Sequence, residues 1–366
     1  MKKLYLFSKL LLISFIISAC SDSAPVAPKD SSRIVEGVDF DRLFAKPSDA
    51  EINAVLSEWA AREVSAQSYS EVSVSSLQMG SAPGKLRIVS HIVGGVKHYG
   101  AIAVPEGKAA RSLPVLIYTH GGDDGLSTDE IQLIIAVSAA KADKFIFVAP
   151  SYRSEPLRTR GDTLISAGEP SPWDRDVDDA LALLNVTLQT TPEADPERIG
   201  ILGFSRGACV GMLMAIRDPR IDLVIEFFGP TDFLNVFVQT VAEEALRGRP
   251  RDLPGLDFLN AKLLQPLKNG QLTINEVRPE LVRRSPVYFA GKLPQLQVHH
   301  GTADDVVPVA EAERLIEVMR SLRRTAPNFE SYLYPGGGHN PLTLTGSVDR
   351  AFAFLGRLLP AALVVL

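Results

Sequence analysis

Apolar positions change rhythm twice along this chain. Between 48 and 64, Ile52, Val55, Leu56, Trp59 and Ala60 recur at helical spacing behind Ser48, with Glu51 three residues after it. That spacing predicts an amphipathic helix with a capping box at its start. From 69 to 77 the period falls to two, as Val72 and Val74 alternate with serines. The runs 85–93 and 97–104 flank Gly94-Gly95 and predict the arms of a hairpin.

Beyond Pro114, short unbroken apolar runs alternate with helical stretches. A parallel sheet covered on both sides reads this way, because neither face of such a strand meets water. The runs predict six core strands at 115–119, 145–149, 199–203, 223–228, 295–300 and 331–334. Helices are predicted at 129–142, 175–188, 206–216, 309–322 and 346–358. The segment 231–292 interrupts the alternation with helical, proline-punctuated sequence. It predicts a cap over the strand ends or, alternatively, a peripheral insertion with no part in substrate choice.

Composition sets the class. Of 366 residues, 46% are hydrophobic and 22% charged, which supplies a large core and argues against disorder. A formal net charge of -5 lacks the basic footprint of a nucleic-acid binder. The arginines at 247–251 and 323–324 therefore read as solvated surface.

The first 19 residues form an object of their own. Lys2, Lys3 and Lys9 surround an apolar stretch, 10–17, that is too short to span a bilayer and predicts an export signal. The run Ile17-Ser18-Ala19-Cys20 resembles the lipobox of bacterial lipoproteins. That resemblance implies cleavage before Cys20, lipidation of Cys20 and anchoring of the exported protein to a membrane of the bacterial cell envelope. An ordinary signal followed by an incidental cysteine is the alternative. Residues 20–32 then form a flexible tether, and 33–366 form one folded domain with an N-terminal extension, 33–113.

Candidate chemistry centres on Gly203-Phe204-Ser205-Arg206-Gly207, set between an apolar strand and a helix rich in small residues. A G-x-S-x-G turn in that context puts a serine on a sharp bend with its hydroxyl above the sheet, so Ser205 is the candidate nucleophile. Serine needs a base, and the base needs an orienting group. Asp304 follows the strand ending at 300, and His339 follows the strand ending at 334 behind Gly336-Gly337-Gly338. Both would emerge at carboxyl ends of strands, where open α/β sheets place their sites. Asp305 is the rival carboxylate. His299 and His300 read as strand or turn residues.

An oxyanion requires two donors: the backbone N–H of Arg206 and that of Gly122, in His120-Gly121-Gly122 after the strand 115–119. A plain glycine turn is the other reading of that loop. Cys209 reads as a packing residue on the helix after Ser205. No Cys or His cluster has metal-ligand spacing, and no cofactor is expected. Asp174, at the start of the helix 175–188, reads as its cap, with recognition of a substrate amine as the alternative.

These residues resemble the catalytic domain of the prolyl oligopeptidase family and its dienelactone-hydrolase-like esterase relatives. The resemblance runs from about 114 to 358. It rests on the triad together with Ser151-Tyr152-Arg153, Trp173-Asp174-Arg175-Asp176, Asp195-Pro196-Glu197-Arg198, Gly229-Pro230-Thr231-Asp232 and His300-Gly301 through Asp304 to Val307-Pro308. The last of these favours Asp304 over Asp305. The resemblance implies an α/β-hydrolase fold, with antiparallel strands first and a mostly parallel sheet flanked by helices. It also implies a serine hydrolase that passes through an acyl-enzyme. The expected substrate is a small peptide, with a carboxylic ester as the alternative. Three departures bear on the peptidase reading. Fewer than a hundred mature residues precede Pro114, which leaves no room for a propeller. Gly207 is followed by Ala208, and Tyr152-Arg153 by Ser154-Glu155, where such peptidases carry glycine. A reading of another class is a non-enzymatic binding lipoprotein on the same fold.

Overall fold

The computed structural model describes residues 32–360. The signal at 1–19, the Cys20 lipidation site and all but the last residue of the tether lie outside the described residues. No helix among the described residues is long and apolar enough to cross a membrane.

After a helix, α1 (Asp49–Ala60), the chain enters three long antiparallel strands: β1 (Gln67–Met79), β2 (Ala82–Val93) and β3 (Val96–Pro105). Six parallel strands follow, namely β4 (Leu113–Thr119), β5 (Ile146–Pro150), β6 (Ala194–Phe204), β7 (Ile221–Phe227), β8 (Gln295–Gly301) and β9 (Phe329–Tyr334). They join into one nine-stranded sheet of order β9-β8-β7-β6-β4-β5-β3-β2-β1. All six predicted core strands are present. The α1 cap is also as read: Ser48 accepts from the Glu51 amide, and the Glu51 carboxylate returns to Ser48. Val72 and Val74 lie on β1 at the sheet edge and are exposed.

Helices cover both faces because the strands alternate between two cores. Val115 and Ile117 face a cluster filled by α3 (Arg175–Thr190), α4 (Arg206–Arg217) and α7 (Ala310–Ser321). Leu116 and Tyr118 face a second cluster, closed by α2 (Thr128–Val137) and α8 (Ser347–Leu355). The predicted helix 129–142 stops early. The Ser138 hydroxyl donates back to the Ile134 carbonyl, and the chain continues as a 3₁₀ stretch, Ala139–Lys144.

The interrupting segment 231–292 folds as α5 (Val236–Leu246), a run of short helical turns across 256–268, α6 (Ile274–Arg283) and a 3₁₀ stretch, Pro286–Lys292. Arg278 on α6 reaches the N-terminal extension. Its guanidinium pairs with Glu51 and donates to the carbonyls of Arg42, Leu43 and Ala45. Two segments more than two hundred residues apart are thereby held as one body.

The reading of Asp174 as a helix cap is corrected. Its side chain makes no capping bond at α3; it pairs instead with Arg62 (2.6 Å) and Arg283 (3.8 Å). Two half-buried arginines outcompete a backbone amide for the buried carboxylate, because ion-paired hydrogen bonds are the stronger ones.

Candidate active site

β4 and β6 run parallel and adjacent, with Gly203 opposite Thr119. The HGG loop and the nucleophile turn therefore leave the sheet side by side. The turn is tight enough that its glycines are obligatory. A Cβ on Gly207 would lie 2.0 Å from the Thr119 carbonyl oxygen, and one on Gly203 would lie 2.7 Å from the Ala208 Cα. Ser205 itself sits at φ 53° and ψ -121°, a strained conformation for a residue with a side chain. Its amide donates to the Phe227 carbonyl (2.9 Å), which pins the turn to β7.

The structure brings the three predicted triad residues together. His339 Nε2 stands 2.9 Å from Ser205 Oγ, and His339 Nδ1 stands 2.8 Å from Asp304 Oδ2. The carboxylate fixes the tautomer: Nδ1–H donates to Asp304, which leaves the Nε2 lone pair for the serine proton. Asp304 is held in turn by the Val306 and Val307 amides, 3.0 and 2.9 Å from Oδ1. Burial pushes its pKa upward, but the His339 hydrogen bond and the Val307 amide outweigh that and hold the carboxyl below its ordinary value. Asp305 is exposed and takes no part. Phe228 packs against the His339 ring at 4.3 Å between centroids.

The glycines before His339 do more than loosen a turn. The Asp and His loops are zipped together: the Ala303 amide donates to the Gly337 carbonyl (2.9 Å), and the Gly336 amide donates to Thr302 Oγ1 (2.9 Å). A Cβ on Gly301 would lie 2.2 Å from the Gly337 oxygen. Close backbone approach is what this site demands of those positions.

His299 and His300 are structural. His299 bonds to Tyr334 and Gln297, and His300 Nε2 donates to the Val307 carbonyl (2.8 Å). Cys209 is buried on α4 against the Arg284 carbonyl. No group of three or more His, Cys, Asp or Glu among the described residues is arranged to hold a metal ion.

Neither the Gly122 nor the Arg206 amide has a hydrogen-bond partner among the described residues, so both N–H groups are free to meet a developing negative charge. His120 supports this loop, its Nδ1–H donating to the Gly121 carbonyl (3.1 Å). Burial lowers the His120 pKa to about 3, so the ring is neutral.

The sequence pointed to the Arg206 amide but not to its side chain. That guanidinium is buried and bonds to Asp176, Glu155 and the Gly122 carbonyl. Tyr152 and Asp176 stood in the motifs that carried the family resemblance, and Glu155 stood at one of the departures from it. Their convergence on Arg206 has no signature in spacing.

Beside Ser205 opens an apolar cavity of about 70 Å³. Its walls include Trp173, Phe233, Phe237, Val238, Leu253 and Val307, most of them from the segment 231–292. A hydroxyl aligned on an imidazole, two free amides and an apolar recess together suit transfer of an acyl group to serine and then to water.

A prolyl oligopeptidase family model matches residues 136–359, more than half of the chain. No curated protein matches. Among solved structures, acetyl xylan esterase 1 from Thermoanaerobacterium sp. JW/SL YS485 superposes with a TM-score of 0.56 at 21% identity, covering 87% of this chain and 93% of that one. Acetyl xylan esterase from Paenibacillus sp. R4 gives 0.53 at 16% identity, covering 85% and 98%. A puromycin-hydrolyzing peptidase from Mycobacterium tuberculosis gives 0.50 at 16% identity, covering 75% of this chain and only 46% of that one. The chain has the α/β-hydrolase fold, belongs to the prolyl oligopeptidase family and is a serine hydrolase.

Proposed function

We propose that the protein cleaves a peptide bond in short substrates through an acyl-enzyme on Ser205. One observation carries the mechanism: Ser205 Oγ, His339 and Asp304 form an unbroken hydrogen-bonded line at 2.9 and 2.8 Å. As Ser205 Oγ attacks the carbonyl carbon, its proton passes to His339 Nε2, and the oxyanion is met by the Gly122 and Arg206 amides. His339 then gives that proton to the leaving amine as the C–N bond breaks. A water, deprotonated by the same nitrogen, releases the acyl group. The apolar recess favours a compact hydrophobic group next to the scissile bond.

A second reading, hydrolysis of carboxylic esters, draws on chain length. This chain spans nearly all of the two acetyl xylan esterases but about half of the peptidase.

Fluorophosphonate labelling tests the shared mechanism. Wild type should label, and Ser205→Ala should not; labelling of a folded alanine variant would remove Ser205 from the chemistry. A matched series of peptide amides and short-chain p-nitrophenyl esters then separates the two substrate readings. Turnover of esters alone, with amides untouched, would overturn the peptidase reading.

Export and lipid anchoring at Cys20 remain part of the proposal on the strength of the lipobox-like run alone. Wild type should incorporate radiolabelled palmitate and Cys20→Ala should not; equal incorporation in both would exclude the anchor.

A further inference from the structure

A positive side chain at the first position of a helix opposes the helix dipole, so Arg206 gains nothing from α4 for its charge. Its side chain is nonetheless buried, with 4% exposure. Such a group needs a partner for each face and edge. Nε and Nη2 take Asp176 Oδ2 at 2.9 and 2.8 Å, and Nη1 takes Glu155 Oε1 at 2.5 Å. Beneath the plane lies the Tyr152 ring, 4.8 Å from Cζ, and that ring stacks in turn on His120 at 4.3 Å. The second N–H of Nη1 serves something other than charge neutralisation: it reaches the Gly122 carbonyl oxygen at 3.1 Å.

Gly122 has little else to hold it. It sits at φ +69°, and even a Cβ added there would meet nothing within 4 Å. Gly121 presses against the nucleophile turn, its Cβ position 3.1 Å from both the Phe204 oxygen and Ser205 Cβ. Without side chains to pack, the loop takes its position from polar ties. The Gly121 carbonyl is fixed by His120, the His120 carbonyl accepts from the Tyr152 hydroxyl at 3.4 Å, and the Gly122 carbonyl is fixed by Arg206. The residue that lends one amide to the oxyanion site therefore also fastens the loop that lends the other.

We propose that the Arg206 guanidinium, held by Asp176 and Glu155, is a positioning group that sets the Gly122 amide in register with the Arg206 amide for the oxyanion. This inference rests on the acyl-enzyme reading above. Burial pushes the Glu155 carboxyl up to about 7, with Arg206 pulling the other way.

The test compares wild type with Arg206→Lys, which keeps the charge but loses the fork, and with Glu155→Gln, a milder change. Substrates are the p-nitrophenyl esters that wild type turns over, and the probe is a trifluoromethyl ketone whose hemiketal oxyanion occupies the same site. For Arg206→Lys the expected outcome is a fall in kcat of about 10- to 100-fold with KM within about twofold, below the full loss of one oxyanion donor. The ketone inhibition constant should weaken by the same factor as kcat/KM. Glu155→Gln should show the same signature at about 3- to 10-fold, and it decides the matter if Arg206→Lys does not fold. Unchanged kcat in whichever variant folds overturns the proposal. So does a loss of activity that leaves ketone binding intact or appears mainly in KM. Failure of wild type to label with fluorophosphonate would instead strike the acyl-enzyme reading.

Discussion

Two neighbouring carboxylates, Asp304 and Asp305, show how far a single residue's fate depends on its surroundings. Asp304 faces His339 and two backbone amides, whereas Asp305 faces water. Asp304→Asn should lower kcat by about 10³- to 10⁴-fold, because an amide presents the wrong partner to Nδ1–H and the tautomer is lost. Asp305→Asn should change it less than about twofold. Steady-state kinetics on the folded variants check both, and equal losses would mean the orienting group has been misassigned.

Glu226 makes the same point for stability. It is fully buried on β7, with Oε2 accepting from the Gly229 amide (3.0 Å), Oε1 without a partner, and Glu311 adding repulsion. Burial raises its pKa from 4.5 to about 8. Between those values the folded state binds a proton that the unfolded state has released. The group's contribution is therefore complete below pH 4.5 and is lost as pH rises through 8. Glu226→Gln should match wild type near pH 5 and exceed it in Tm by about 2–5 °C at pH 8.5. A Tm difference that does not change with pH would contradict this account.

At the scale of elements, the sequence marked each core strand because burial on both faces leaves an uninterrupted apolar run. Helix ends were less legible. The stop after Val137 depends on one serine hydroxyl bonding backward, and Asp174 had the right position for a cap but was drawn away by arginines from α1's end and from α6. The segment 231–292 was visible as an interruption and read as a cap over the strand ends or a peripheral insertion, but which of its side chains line the recess beside Ser205 was not legible. Val238 on α5 faces the recess. Val238→Trp should fill it, cutting kcat/KM for butyryl or bulkier apolar acyl esters by about tenfold or more while sparing acetyl esters to within about threefold. A uniform loss along the acyl series would mean the recess does not receive the acyl group.

On the scale of the whole molecule, long-range arginine ties join parts that the sequence keeps far apart. Arg278 binds Glu51 and three carbonyls of the N-terminal extension, and it is 7% exposed. Arg278→Ala removes the donor from the three carbonyls, leaves the Glu51 carboxylate with Ser48 alone, and should lower unfolding stability by about 3 kcal/mol or more. It should also open the segment 33–47 to early proteolysis. Denaturant unfolding with less than about 1 kcal/mol of change would show that the extension is held by its apolar contacts alone.

Local rules were enough for much of this protein. Unbroken apolar runs determined the strands, and the two glycines around Ser205 marked a turn that admits no side chain at either of those two positions. Serine, aspartate and histidine in that order after strand ends marked the triad, because strand ends in a parallel sheet all emerge on one edge, and the family resemblance favoured Asp304 over Asp305. Partner choice among buried charges was decided only by the tertiary structure. Which carboxylate an arginine meets, whether Asp174 caps or pairs, and whether Arg206 reaches Gly122 depend on elements brought together from distant parts of the chain. An interior without water makes each of those pairings a competition that sequence spacing does not encode.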